Sequence, residues 1–144
     1  MRLWRSVLTA NLLVIAGLAH AGCDEKATPG AFVFPSDEAV STFLNQLKVA
    51  VSSNNTQEVA RLIMFPLRAN VHGRQARITR STFSNNFSAI FNAKVRSALA
   101  SAEFRTQSDH ACVFWNASGM MVGNGEIWFN SVEGGIKVIA VNNN

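Results

Sequence analysis

At Glu103 the apolar residues of this chain stop recurring every third or fourth position and begin to recur every second. That switch constrains the fold more than any other feature, because a helix face and a strand face need these two different periods. Upstream, Val40, Phe43, Leu44, Leu47 and Val51 form one helical face. Ser36 stands before it as an N-cap, with Asp37 and Glu38 in the first turn, where the helix dipole favours carboxylates. Asn55 and Glu58 open a second, short helix carrying Val59, Leu62 and Ile63, and Pro66 ends it. Residues 67–71 and 75–78 read as short strands around His72-Gly73. A third helix, capped by Thr79 or Ser81 and ending near Ala102, has the widest apolar face: Phe83, Phe87, Ile90, Phe91, Val95, Ala98 and Leu99. Downstream, 104–108, 111–115, 120–131 and 136–141 read as strands, with Gly123-Asn124-Gly125 either a type I′ hairpin turn or, as the favoured reading, a glycine bulge that bends one long strand.

Helices early and strands late make this an α+β chain rather than an alternating α/β one. The expected architecture is N-terminal helices followed by a curved antiparallel sheet wrapped around the long third helix. A chain of 144 residues suits one ordinary domain. With 48% apolar and 15% charged residues it has the material for a core, which excludes general disorder.

Residues 1–21 have the three parts of a secretory signal peptide. Arg2 and Arg5 supply the positive start, Val7 to Leu18 the apolar stretch, and Ala19-His20-Ala21 the small residues of a cleavage site. The apolar run is too short for a membrane span, which needs roughly 20 residues. Cleavage after Ala21 leaves an irregular leader, 22–35, and one domain, 36–144, in the periplasm or outside the cell. Ala21-Gly22-Cys23 also resembles the end of a bacterial lipobox, with His20 where that motif has an aliphatic residue, so a lipoprotein anchored at Cys23 is the alternative. Only then would the membrane be a partner.

Loss of Arg2 and Arg5 lowers the formal charge from +4 to +2, and a nucleic-acid role loses its support. Both cysteines, Cys23 and Cys112, remain after cleavage, and an oxidising compartment permits a bond between them. It would close a loop of about 90 residues, for about 4–5 kcal/mol in the chain-entropy model. If Cys23 is acylated instead, Cys112 is a single thiol.

The element order, together with Met64-Phe65-Pro66-Leu67 after the second helix and Gly123-x-Gly125-Glu126-Ile127-Trp128 in a late strand, resembles the nuclear transport factor 2-like superfamily. The resemblance covers about residues 36–142. It implies a cone-shaped α+β fold that hosts enzymes, binding modules and scaffolds alike. Its isomerases, dehydratases and cyclases pair a carboxylate or His base with Tyr or acid donors inside the cone.

This chain has no Tyr, so a phenolic oxyanion donor is excluded. Asp109-His110 is the remaining acid–base pair, but neighbours on a strand point to opposite faces. His110 and Cys112 share a face and offer two metal ligands where tetrahedral zinc needs three or four. No catalytic residue, metal or cofactor is therefore assigned. Strand alternation puts Glu126, Trp128 and Asn130 on one face, which makes Glu126 and Trp128 a polar group beside an aromatic wall if that face lines the cone, and solvated residues if it does not.

The basic residues are unevenly spread: eight lie between Arg61 and Arg105, against one acid, Glu103. Arg68, Arg74 and Arg77 flank the His72-Gly73 turn and form a candidate docking patch for an acidic protein, an anionic lipid or a cell-wall polymer. The leading functional expectation is a small exported binding module without catalysis, such as an inhibitor or immunity-type protein acting by protein docking. A small-molecule site or enzyme in the cone is one alternative. A dimeric envelope scaffold is the other.

Overall fold

The computed structural model describes residues 35–71, 73–104, 113–116 and 118–144. The signal segment, Cys23, Cys112, Asp109, His110, His72 and most of the expected strand 104–108 lie outside the described residues.

Helix α1 (Asp37–Ser52) starts at Ser36, whose hydroxyl accepts from Ala39 N at 3.2 Å. It buries the face that its spacing defines, from Val40 to Val51. Helix α2 (Thr56–Arg61) is capped by Asn55, which accepts from Glu58 N at 3.0 Å. It is shorter than its apolar pattern suggests. Leu62 ends it, and Ile63 already belongs to β1 (Ile63–Val71). Pro66 thus lies inside a strand rather than stopping a helix. A proline cannot donate to a ladder, and it sits where the pairing of β1 with the last strand breaks register, between Ile63 and Arg68.

Strand β2 (Arg74–Ile78) folds back on β1, and α3 (Arg80–Ile90) follows. The single long third helix is in fact two. α3 ends at Phe91, and α4 (Ala93–Ser101) starts afresh at Asn92, whose side chain accepts from Val95 N at 3.1 Å. An Asn that caps a new helix competes with continuation of the old one. The broken end is held from a distance, because Asn143 donates its amide to the carbonyls of Ala89 and Ile90, and Asn92 donates to Asn143 O.

Strands β3 (Val113–Asn116), β4 (Gly119–Val122), β5 (Ile127–Val132) and β6 (Gly135–Val141) complete a six-stranded sheet in the order β2-β1-β6-β5-β4-β3. Two expectations are corrected here. Residues 120–131 are a hairpin, not one bent strand: Met120, Met121 and Val122 pair with Phe129, Trp128 and Ile127 across a turn at 123–126. Gly123 and Gly125 have φ of +66° and +95°, which reverse the chain there. The sheet is also mixed rather than antiparallel, because β6 runs parallel to β1 at its centre. A parallel pair needs a long crossover, and the helices and four intervening strands supply it.

The helices cover one face of this sheet. Between them, Phe43, Phe83, Phe87, Phe91 and Phe129 are each at most 4% exposed. Phe83 meets Phe87 edge-on at 5.7 Å and Phe91 at 6.4 Å, and Phe43 packs on Phe129 at 5.2 Å. The space under the sheet is filled with phenyl rings.

Candidate functional site

The face of the sheet turned away from the described helices, the open face among the described residues, is organised by one cross-strand row. Arg77 lies opposite Arg68, Arg68 opposite Ala140, Ala140 opposite Trp128, Trp128 opposite Met121, and Met121 opposite Phe114. The row depends on a bulge in β6. Phe129 pairs with Val138 while Trp128 pairs with Ala140, so Ile139 is an extra residue. Without it, Val138 and Ala140 would share a face, as strict alternation requires. With it, Val138 is buried at 0% exposure among the core residues, and Ala140 joins the open face.

Ala140 is the short side chain between two long ones, which leaves a depression of about 290 Å³. Arg68, Asn70, Gln75, Trp128 and Asn142 line it with Ser118. Gly125 gives the indole room, since a Cβ at that position would lie 3.3 Å from Trp128 Nε1. Asn142 is fixed beside the row by its amide donating to Gly125 O at 2.8 Å and its backbone N–H donating to Glu126 O at 2.8 Å.

Arg68 and Arg77 therefore meet on one face, their Cβ atoms about 5 Å apart by the geometry of directly opposed residues. Neither guanidinium has an ion pair or hydrogen bond among the described residues, and neither β1 nor β2 contains an acid. Arg74, the third member of the expected patch, pairs with Val71 at the hairpin end. Alternation from Leu67 and Ala69 puts that pair on the helix-side face, so Arg74 stands apart from the other two.

Glu126 and Trp128 do not come together. Trp128 is on the open face, whereas Glu126 belongs to the β4–β5 turn and is buried, 6% exposed, against α4. Its Oε2 accepts from Asn124 N at 2.5 Å and its Oε1 faces Lys94 Nζ at 3.6 Å. A carboxylate held by a main-chain N–H and a lysine closes a turn, and no His or second acid stands beside it among the described residues. Gly123 makes this possible, because a Cβ there would lie 2.2 Å from Glu126 Oε2 and 3.1 Å from Ala98 Cβ. Gly123→Ala is accordingly expected to lower stability by about 2 kcal/mol. Glu126→Ala in the same background should then cost much less than it does alone, measured by urea denaturation; simple additivity would contradict the contact.

Sequence reasoning named Arg68, Arg77 and Trp128 but missed Asn70, Gln75, Asn142 and Ala140. Asn70 and Gln75 were visible as the residues two positions from Arg68 and Arg77 on alternating strands. Asn142 begins the run Asn142-Asn143-Asn144, which carries no strand pattern of its own. No group of three or more His, Cys, Asp or Glu that could hold a metal occurs among the described residues. No helix among them is long and apolar enough to cross a membrane. No family model, curated protein or solved structure matches the chain.

Proposed function

We propose that the chain is an exported, non-catalytic binding module with a nuclear transport factor 2-like architecture, which docks an acidic protein segment on the open face of its sheet. The carrying observation is the Arg68–Arg77 pair. Two like charges directly opposite each other on neighbouring strands destabilise a sheet, typically by a few tenths of a kcal/mol up to about 1. Such a cost, with no acid among the described residues to offset it, is the pattern of a surface kept for a partner rather than for the fold. The phenyl-filled space under the sheet and the absence of Tyr favour binding over proton-transfer chemistry in a cone. The element order, and the parallel placement of β6 between β1 and β5, support the architecture. Residues 1–21 support export to the periplasm or beyond.

The test uses the opposite signs of stability and binding. Arg77→Glu creates a cross-strand pair with Arg68 and is expected to raise stability by about 0.5 kcal/mol in chemical denaturation. The same variant should lose binding of hexaglutamate, which in the wild-type protein shifts amide resonances of β1 and β2 and weakens as salt is raised. Equal hexaglutamate binding by both proteins, or shifts confined to the helices, would sink the assignment.

A further inference from the structure

We propose that the depression between Arg68 and Trp128 is the anchoring subsite of this surface, taking an acidic and an aromatic side chain from one extended partner segment, the carboxylate on Arg68 and the ring on Trp128. The inference rests on the docking reading above and adds to it the chemistry of the partner.

Three features of the row lead to it. The first is its sequence of side chains. A guanidinium, a methyl floor and an indole follow one another across β1, β6 and β5. Two strand spacings separate the ends, about 10 Å between Arg68 and Trp128 at the backbone. An extended segment laid across the strands presents residues i and i+2 to the sheet about 7 Å apart. The flexible arginine stem covers the remainder, so an acidic residue two positions from an aromatic one spans the site.

The second feature is the chemistry at each end. The arginine fork matches a carboxylate through two parallel N–H donors, and Arg68 has no other partner among the described residues. The indole offers a large, stiff apolar surface, and Trp and Arg are the residue types that dominate binding energy at interfaces. Gly125 packs beside the indole nitrogen edge, where a Cβ would lie 3.3 Å from Nε1, so the absence of a side chain there lets the plate seat closely.

The third feature is the lining. Asn70 and Gln75 face each other in register beside the Arg pair and border the same depression. Each carboxamide both donates and accepts, which suits the alternating N–H and C=O groups of a crossing peptide backbone. A charge patch alone would need neither amides nor an aromatic plate.

The test compares short blocked peptides on the purified protein by calorimetry and tryptophan emission. The probes are acetyl-Ser-Glu-Ser-Phe-Ser-amide, its Phe-to-Ala and Glu-to-Gln versions, and hexaglutamate. The Glu-x-Phe peptide should bind at least tenfold more tightly than either changed version. Trp128→Ala should abolish the advantage of Phe over Ala, and Trp128→Phe should retain most of it, which separates stacking from a folding defect. Arg68→Gln should abolish the advantage of Glu over Gln. If the Phe and Ala peptides bind equally while hexaglutamate still shifts β1 and β2, the anchor is wrong and the docking reading survives. If no acidic probe binds the wild-type protein, both fall. Tighter binding of an oligogalacturonate than of the Glu-x-Phe peptide would overturn the peptide assignment in favour of an acidic polysaccharide.

Discussion

Replacing Phe83 with alanine is expected to lower the unfolding free energy by about 3–5 kcal/mol, the range for emptying a buried phenyl site. Phe83 is 1% exposed and meets three other rings, with centroids at 5.5 Å for Phe65, 5.7 Å for Phe87 and 6.4 Å for Phe91. Its interplanar angles of 74°, 85° and 89° put ring edges against ring faces, the favoured arrangement for aromatic pairs. Loss of the ring therefore removes area, packing and three oriented contacts at once. Chemical denaturation should show a lower midpoint at unchanged slope. A loss below about 1 kcal/mol would mean that the space under the sheet is loosely filled, and would return weight to an internal ligand cavity.

Arg96→Met is expected to cost about 3 kcal/mol, although Arg96 lies outside the proposed binding surface. Its guanidinium donates to Phe91 O, Val51 O and Asn54 Oδ1, each at 2.7 Å, and lies over the Phe87 ring at 5.6 Å. It thereby ties the end of α1 and the turn after it to the break between α3 and α4. Methionine keeps the apolar stem but leaves two main-chain carbonyls without their charged donor. A double-mutant cycle with Asn54→Gly, which keeps a left-handed backbone at φ +54°, should give a coupling of about 1 kcal/mol. Zero coupling would mean the Arg96–Asn54 bond contributes nothing. Hexaglutamate binding should be unaffected in the folded population, since the guanidinium faces the helices.

The same residue shows where sequence reasoning has its limits. In the basic stretch from Arg61 to Arg105, the sequence separates Arg68, Arg74 and Arg77 from the other five cations only by their nearness to the His72-Gly73 turn. The fold divides the seven that lie among the described residues by what their side chains reach. Arg96 is used up on three acceptors, Lys94 faces Glu126, Arg61 pairs with Glu58 at 3.1 Å, and Arg80 stacks over Phe65 at 4.8 Å. Arg68 and Arg77 are left facing solvent together, while Arg74 departs to the hairpin end. Local chemistry was legible, as in the caps Ser36 and Asn55, because a cap involves residues three apart. The break after Phe91 was legible only in part. Asn92 carried a capping signal, but the apolar stripe ran on through it and masked the end of α3.

The sequence by itself determined the class of fold, the placement of most helices and strands, and the apolar faces that make the core. These follow from periodicity and capping, which act over a few residues. Only the tertiary structure decided which residues share the open face. The extra residue Ile139 turns Ala140 outward, the glycine turn at 123–126 sends Glu126 to the helices while Trp128 faces out, and β6 returns to lie along β1 beside Arg68. Each of these is a matter of register between strands distant in the chain, and a one-residue slip reverses every side chain beyond it. The binding row exists because that register is set by the packed whole, not by any segment of it.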